Sequence, residues 1–358
     1  MLSIRVRRLA IAASLGGLLA LSAGLPAGQP RADGFAAQIA ALSEPPGYFD
    51  TDNLISNERS YLEVVPALRG PGGGVYIGVG PDQNFTYIAA LRPSTAFIVD
   101  IRRDNLLLQL LFKSLFALST TRVEYLAQLL GRSAPAPIDG WHKATIDEIV
   151  RHLDRAPPLA DGALDALRTR VNAQISRSGV PLSAIDLATI DRFHRRFIAD
   201  GLELRFHSTG RPPRSYYPTY RELLLARDPS GVQANCLAAE EGFQFVRSLQ
   251  SRDRIIPVTG DLSGPHALVA IGRLLSSRGE RLSAIYTSNV EQYLFRGGRF
   301  SRFAANLAAL PRDERAVIIR SVFGGWDGSS SHVQPVSRML EAMSAGRVRG
   351  YHDLIGGR

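Results

Sequence analysis

The sequence predicts an α/β fold: a parallel sheet covered by helices on both faces, with a large helical insertion between its second and third strands. Three observations carry this. Runs at 75–80, 96–100, 254–258, 282–286 and 316–320 are almost wholly apolar, the pattern of strands covered on both faces. Helical patterns separate most of these runs, as parallel pairing with right-handed crossovers requires. Residues 105–250, between the second run and the third, carry mostly helical patterns and read as a helical insertion or lid.

Taken in order, residues 1–27 read as an export signal or N-terminal anchor. Arg5, Arg7 and Arg8 precede an uncharged apolar run, and Pro26-Ala27-Gly28 offers a small-residue cleavage region. Residues 28–45 read as a linker with one short helical pattern. The first part of the core spans 46–104. Within it, 50–68 reads as a helix, with Asp52, Asn53, Ser56 and Asn57 as N-cap candidates and Leu62, Val65 and Leu68 at helical spacing. Gly70-Pro71-Gly72-Gly73-Gly74 breaks the chain before the first strand, and a helix follows over 85–91.

The insertion begins with a helix that is apolar nearly all round, Leu106 to Phe116, and should therefore be buried. Further helical patterns fall at 121–131, 145–153, 161–176, 183–199, 217–226 and 235–250, with 211–220 as a loop. The second part of the core, 251–323, resumes the alternation with helices at 265–278 and 300–309. The tail, 324–358, holds one weak helical pattern at 335–345.

The chain has 358 residues and a formal charge of +9, of which three charges lie in the leader, leaving +6. Arginine supplies most of this and is scattered through the helices, which favours a solvated surface over a nucleic-acid or membrane patch. The single cysteine, Cys236, excludes an intrachain disulfide and reads as a small buried residue. The seven histidines show no metal-binding spacing, and neither a GxSxG elbow nor a GxxxxGK[ST] loop occurs.

In open α/β sheets, ligands bind beyond the carboxyl ends of the strands. Here those ends carry Gly78 and Gly80, then Asp100, Asp261, and the group Asn289, Glu291 and Tyr293. Glycines permit a tight turn and close backbone approach. Asp100, twenty residues past Gly80, suits a ribose acceptor. Asp261 suits an adenine amino group, and Asn289, Glu291 and Tyr293 suit the reacting end. Packing readings stand beside these: Gly78 and Gly80 serving strand–helix contact, Asp100 pairing with Arg102 or Arg103, and Asp261 and Asn289 capping helices. The Tyr216-Tyr217-Pro218-Thr219-Tyr220 stretch beside Arg211 and Arg214 reads as a packing loop or a substrate-recognition loop.

This order of glycine turn, ribose acid, adenine-side acid and polar fourth-strand end resembles the Rossmann-like class I S-adenosylmethionine-dependent methyltransferases. The strings YFDTDNLISNERSYL, GGVYIGVGPDQNFTYIA, AFIVDIRRDN, IIPVTGDLSGPHAL and YTSNVEQYLF also resemble an uncharacterised bacterial family of that fold. The resemblance implies S-adenosylmethionine as cofactor, touched by Gly78, Gly80, Asp82, Asp100 and Asp261, with Asn289, Glu291 and Tyr293 placed for catalysis. It departs from the methyltransferase pattern at Tyr76, where an acid is usual, and at Asp82, where a third glycine is usual. A carboxylate there repels phosphate and tolerates a sulfonium, which disfavours NAD more than S-adenosylmethionine. The expected partner is a small-molecule ligand plus an acceptor, with no specific nucleic acid and no membrane beyond the N-terminal segment. An export leader sits awkwardly with a cytoplasmic cofactor, so a non-catalytic exported binding protein, or an enzyme of another nucleotide, is the alternative.

Overall fold

Six strands form one sheet in the order β3-β2-β1-β4-β5-β6: β1 Val75–Gly78, β2 Thr95–Asp100, β3 Ile255–Thr259, β4 Leu282–Ser288, β5 Arg312–Phe323 and β6 Ser329–Pro335. The computed structural model describes residues 34–70, 72–211, 214–324 and 328–356. The leader at 1–27 lies outside them. β1 to β5 run parallel, and β6 is antiparallel to β5. The chain steps outward from β1 to β3, then returns to lay β4 on the other side of β1. The strand order therefore reverses between β1 and β4, which opens a crevice at their carboxyl ends. Gly78 lies beside Ile98 on one side and Tyr286 on the other, and Asp100 beside Thr259.

β1 and β3 are buried along their full length, as their unbroken apolar runs require. Two helical layers cover the sheet. In one, Phe35–Leu42, Ala267–Arg278 and Phe300–Ala309 pack in succession; in the other, Gln83–Leu91, Glu240–Ser251 and Arg103–Leu118 do. Phe35, Ile39 and Leu42 are buried, so the segment read as a linker supplies part of the core.

The insertion does not stand apart from the sheet. Its first helix, Arg103–Leu118, packs on β2 and β3 and also carries Asp161–Arg177 and Ala184–Asp200. A run of rings, Phe85, Phe116, Tyr125 and Phe243, joins the two parts with centroids 4.5–5.9 Å apart. Capping boxes start four of its helices, at Thr121, Thr145, Ser183 and Thr219.

Two expectations need correction. Of the helix read over 50–68, only Val65–Leu68 forms. The polar residues taken as caps serve other ends: the Ser56 hydroxyl accepts the Glu58 amide, and Asn53 adopts a left-handed backbone with φ +49°. The tail also supplies β6, whose Ser329-Ser330-Ser331 sequence hides its strand character, and two helices, Val336–Ser344 and Tyr351–Gly356.

The Ala184–Asp200 helix is fastened to the sheet side by Asp186, which Arg103 grips through two hydrogen bonds of 2.9 and 3.0 Å. Hydrogen bonding to Arg103 holds the Asp186 carboxyl down at about 2. Because the native value is depressed, the stabilisation is complete above the ordinary aspartate range and is lost as pH falls through about 2. Arg103 keeps more than a third of its side chain in water, so screening limits the contribution to about 1 kcal/mol. Asp186→Asn is expected to lower stability by about that much near neutral pH, and the gap should close toward the acid limit. Urea unfolding at a series of pH values checks this; a gap independent of pH would contradict it.

Candidate functional site

A cleft of about 420 Å³ lies over the carboxyl ends of β1 to β4. The chain before β1 runs across those ends, where Glu44 N donates to Thr259 O (2.9 Å) and Gly47 N to Ile101 O (2.8 Å). The same segment then pairs with the insertion: Thr51 bridges Ser208, Asp52 N donates to His207 O, and Thr209 N donates to Asp50 O. One wall of the cleft is therefore this strap with Tyr48, Phe49 and Asn53. The other is the insertion's loop with Phe206, Arg211, Arg214, Tyr216 and Tyr217.

Five of the eight site residues read from the sequence line this cleft: Gly80, Asp100, Asp261, Asn289 and Tyr293. Gly80 has φ +83°, which favours glycine, and a Cβ there would sit 3.2 Å from Asn53 Nδ2. Asp100 Oδ1 accepts the Arg102 amide (2.9 Å) and Nε (3.3 Å), and Oδ2 accepts Nη2 (3.2 Å). Asp261 Oδ1 accepts the amide and hydroxyl of Ser263, both at 2.8 Å, and Oδ2 accepts Arg299 Nη1 at 2.7 Å. A carboxylate has about four lone-pair sites, so each acid keeps room for one further donor. Tyr293 stands edge-on to Phe49 at 5.0 Å and is partly exposed.

The other three lie elsewhere. A Cβ on Gly78 would meet Asn84 Oδ1 at 1.9 Å and Tyr76 Oη at 2.6 Å, so its glycine makes room for the Tyr76–Asn84 hydrogen bond. Asp82 keeps part of its surface exposed but does not line the cleft. Burial around its carboxyl pushes it up to about 7, with the Tyr220 hydroxyl pulling the other way. Its charge is felt by Tyr61, Tyr125, Tyr220 and Cys236, mostly groups of the insertion. Glu291, expected at the reacting end, is fully buried against Arg320, with Nε–Oε2 at 2.6 Å and Nη2–Oε1 at 3.2 Å. A helical turn that shows Asn289 and Tyr293 to the cleft puts Glu291 on its inner side.

Sequence reasoning missed Glu58, a cleft residue that is only 1% exposed. Its Oε1 accepts the hydroxyls of Tyr286 (2.8 Å) and Ser288; its Oε2 accepts Gln83 Nε2 (2.7 Å) and the Ser321 hydroxyl (2.5 Å). Ser288 takes φ +51° at the end of β4 to reach it. Burial, then the charge of Glu58, push the Tyr286 phenol well above its ordinary value, so it stays a proton donor. The signal was unavailable locally, because Ser321 lies 263 residues away. The free thiol of Cys236 is buried and pushed far up, which removes it as a nucleophile.

These features define an α/β protein with a ligand-sized cleft at the reversal point of a mostly parallel sheet. By sequence, the chain belongs to the family described as Domain of unknown function (DUF7790), whose model matches residues 53–139 and 213–348. The matched segments contain Glu58, Gly80, Asp100, Asp261 and Asn289. No curated protein matches the chain.

Breaking a buried pair leaves an uncompensated charge, so Glu291→Gln should cost about 3 kcal/mol of stability. Chemical denaturation reads this. Ligand binding by the remaining folded protein should be unaffected, and selective loss of binding without loss of stability would return Glu291 to the site.

Proposed function

We propose that the cleft binds an adenosine-type cofactor, S-adenosylmethionine foremost, and that the protein transfers a methyl group to a small acceptor on a Rossmann-like, methyltransferase-type scaffold. The observation that carries this reading is convergence. Gly80, Asp100, Asp261 and Asn289 come from the ends of four different strands, and all line one cleft at the crevice where such sheets take ligands. The acceptor capacity fits: Asp100 has one acceptor site left for a ribose hydroxyl, and Asp261 one for an exocyclic amine. Phe49 and Tyr293 offer rings to flank a base or an acceptor.

When bound, the cofactor supplies an activated methyl group, so positioning carries much of the barrier reduction. Asn289 and Tyr293 would orient the acceptor. One observation favours non-catalytic binding as a second reading: every carboxylate lining the cleft is engaged, three with arginines and Glu58 with neutral donors, which leaves no ready base.

Calorimetry with S-adenosylmethionine, S-adenosylhomocysteine and NAD tests the proposal. The first two should bind and NAD should not, and Asp261→Asn should weaken binding about tenfold through one lost hydrogen bond. Failure of every adenosyl compound to bind would overturn it; binding without transfer to a panel of acceptors would favour the second reading. For the leader, the mature N-terminus read by mass spectrometry is expected near residue 28. An intact Met1 would remove the cleaved-signal expectation.

A further inference from the structure

We infer that the deep end of the cleft is built for a positively charged centre, a sulfonium or an ammonium, and that Glu58 supplies the charge that selects it. This deepens the adenosine reading by naming the ligand's charge. The first support is the pairing of charges. Four acids line the cleft, and three carry an arginine partner: Asp50 with Arg211 (2.6 Å), Asp100 with Arg102 (3.2 Å) and Asp261 with Arg299 (2.7 Å). Glu58 is the most buried of the four, and among the described residues no cation stands within 4.0 Å of it.

The second support is the chemistry of its partners. All four donors are neutral, two hydroxyls from β4, one from β5 and an amide from the Gln83–Leu91 helix. Four donors fill a carboxylate's lone-pair sites, so Glu58 has no site left to accept a hydrogen bond from a ligand. What remains is its field. A buried charge without a counter-ion is costly, and it is understandable where a ligand brings the counter-ion.

The third support is place. Tyr286 and Ser288 belong to the end of β4, beside Asn289, and Glu58 reaches them from the strap. The charge therefore faces the stretch of cleft between the fourth strand end and Gly80.

The test compares ligands that differ in charge. On the wild-type protein, S-adenosylmethionine should bind at least about tenfold tighter than neutral 5′-methylthioadenosine, the difference expected from one close charge in a partly desolvated site. In Glu58→Gln the two affinities should converge. Equal affinities in the wild type, or a preference that persists in the variant, would overturn the inference while leaving the adenosine reading in place. Should neither nucleoside bind, the adenosine reading fails, and trimethylsulfonium chloride decides on Glu58 alone. A rise in melting temperature over sodium chloride of equal ionic strength, present in the wild type and absent in the variant, supports the inference; no rise overturns it. If the variant does not fold, the wild-type comparison decides.

Discussion

The structure turns on one buried carboxylate. Glu58 binds the start of the Gln83–Leu91 helix and the ends of β4 and β5 to the strap that precedes β1. These are the elements that meet where the strand order reverses, so the network fixes the crevice from below. Its influence extends past Glu58 itself. Gln83 Nε2 also lies within hydrogen-bonding reach of the hydroxyls of Tyr87 (2.9 Å) and Tyr286 (3.1 Å), and those rings stand 5.0 Å apart. Two residues on, Ser60 meets the hydroxyls of Ser329 and Ser331, and Glu63 accepts the Ser331 amide. A polar strand with little apolar area of its own is thereby held to the sheet edge. Hydrogen bonds of this kind are modest one at a time, but removing the shared acceptor would orphan several buried donors together.

What the sequence could reveal follows from the range of the interactions. β1 to β5 were legible because a strand covered on both faces must be apolar along its length, and that pattern is local. The insertion's helices were legible for the same reason, through periodicity and cap residues such as Thr145 with Glu148. β6 was not, since its stability comes from β5 and from hydroxyl partners some 270 residues away. The strap was misread because Ser56 and Asn57 look like caps in isolation, while the tertiary structure directs the Ser56 hydroxyl to Gln83 Oε1, 27 residues away. Five site residues reached the cleft because strand ends converge in any open parallel sheet. Glu291 did not, because which side of a short helical turn faces inward is set by a partner, Arg320, that local sequence cannot specify.

Charge at the cleft is largely paired: of the four arginines that line it, three meet an aspartate and Arg214 meets the Tyr216 hydroxyl. Arg102, Arg211 and Arg299 each spend their guanidinium on an aspartate of the same cleft. Arg102 in addition donates to the Thr51 and Asp52 carbonyls, so it braces the strap against the end of β2. The pairing leaves Asp100 one acceptor site. The sequence posed ribose contact and pairing with arginine as alternatives; the geometry permits both, because the pair leaves one acceptor site unfilled.

The insertion belongs to the same mechanical unit. Asp82, one residue past the Gly80-Pro81 turn on the cleft floor, sits among Tyr125, Tyr220 and Cys236 of the insertion. The same block supplies the opposite wall through Arg214, Tyr216 and Tyr217. Swinging this block aside would require pulling Phe112 and Phe116 away from Phe85, 5.7 and 5.3 Å from them, and exposing a carboxyl that burial has already raised to about 7. Both steps expose buried surface with nothing gained in return. The mouth of the cleft is freer, since Tyr48 and Tyr216 are exposed at 80% and 46% and can turn about their side-chain bonds. The insertion is then a fixed wall of the cleft, joined to the sheet by packed rings and by buried polar groups.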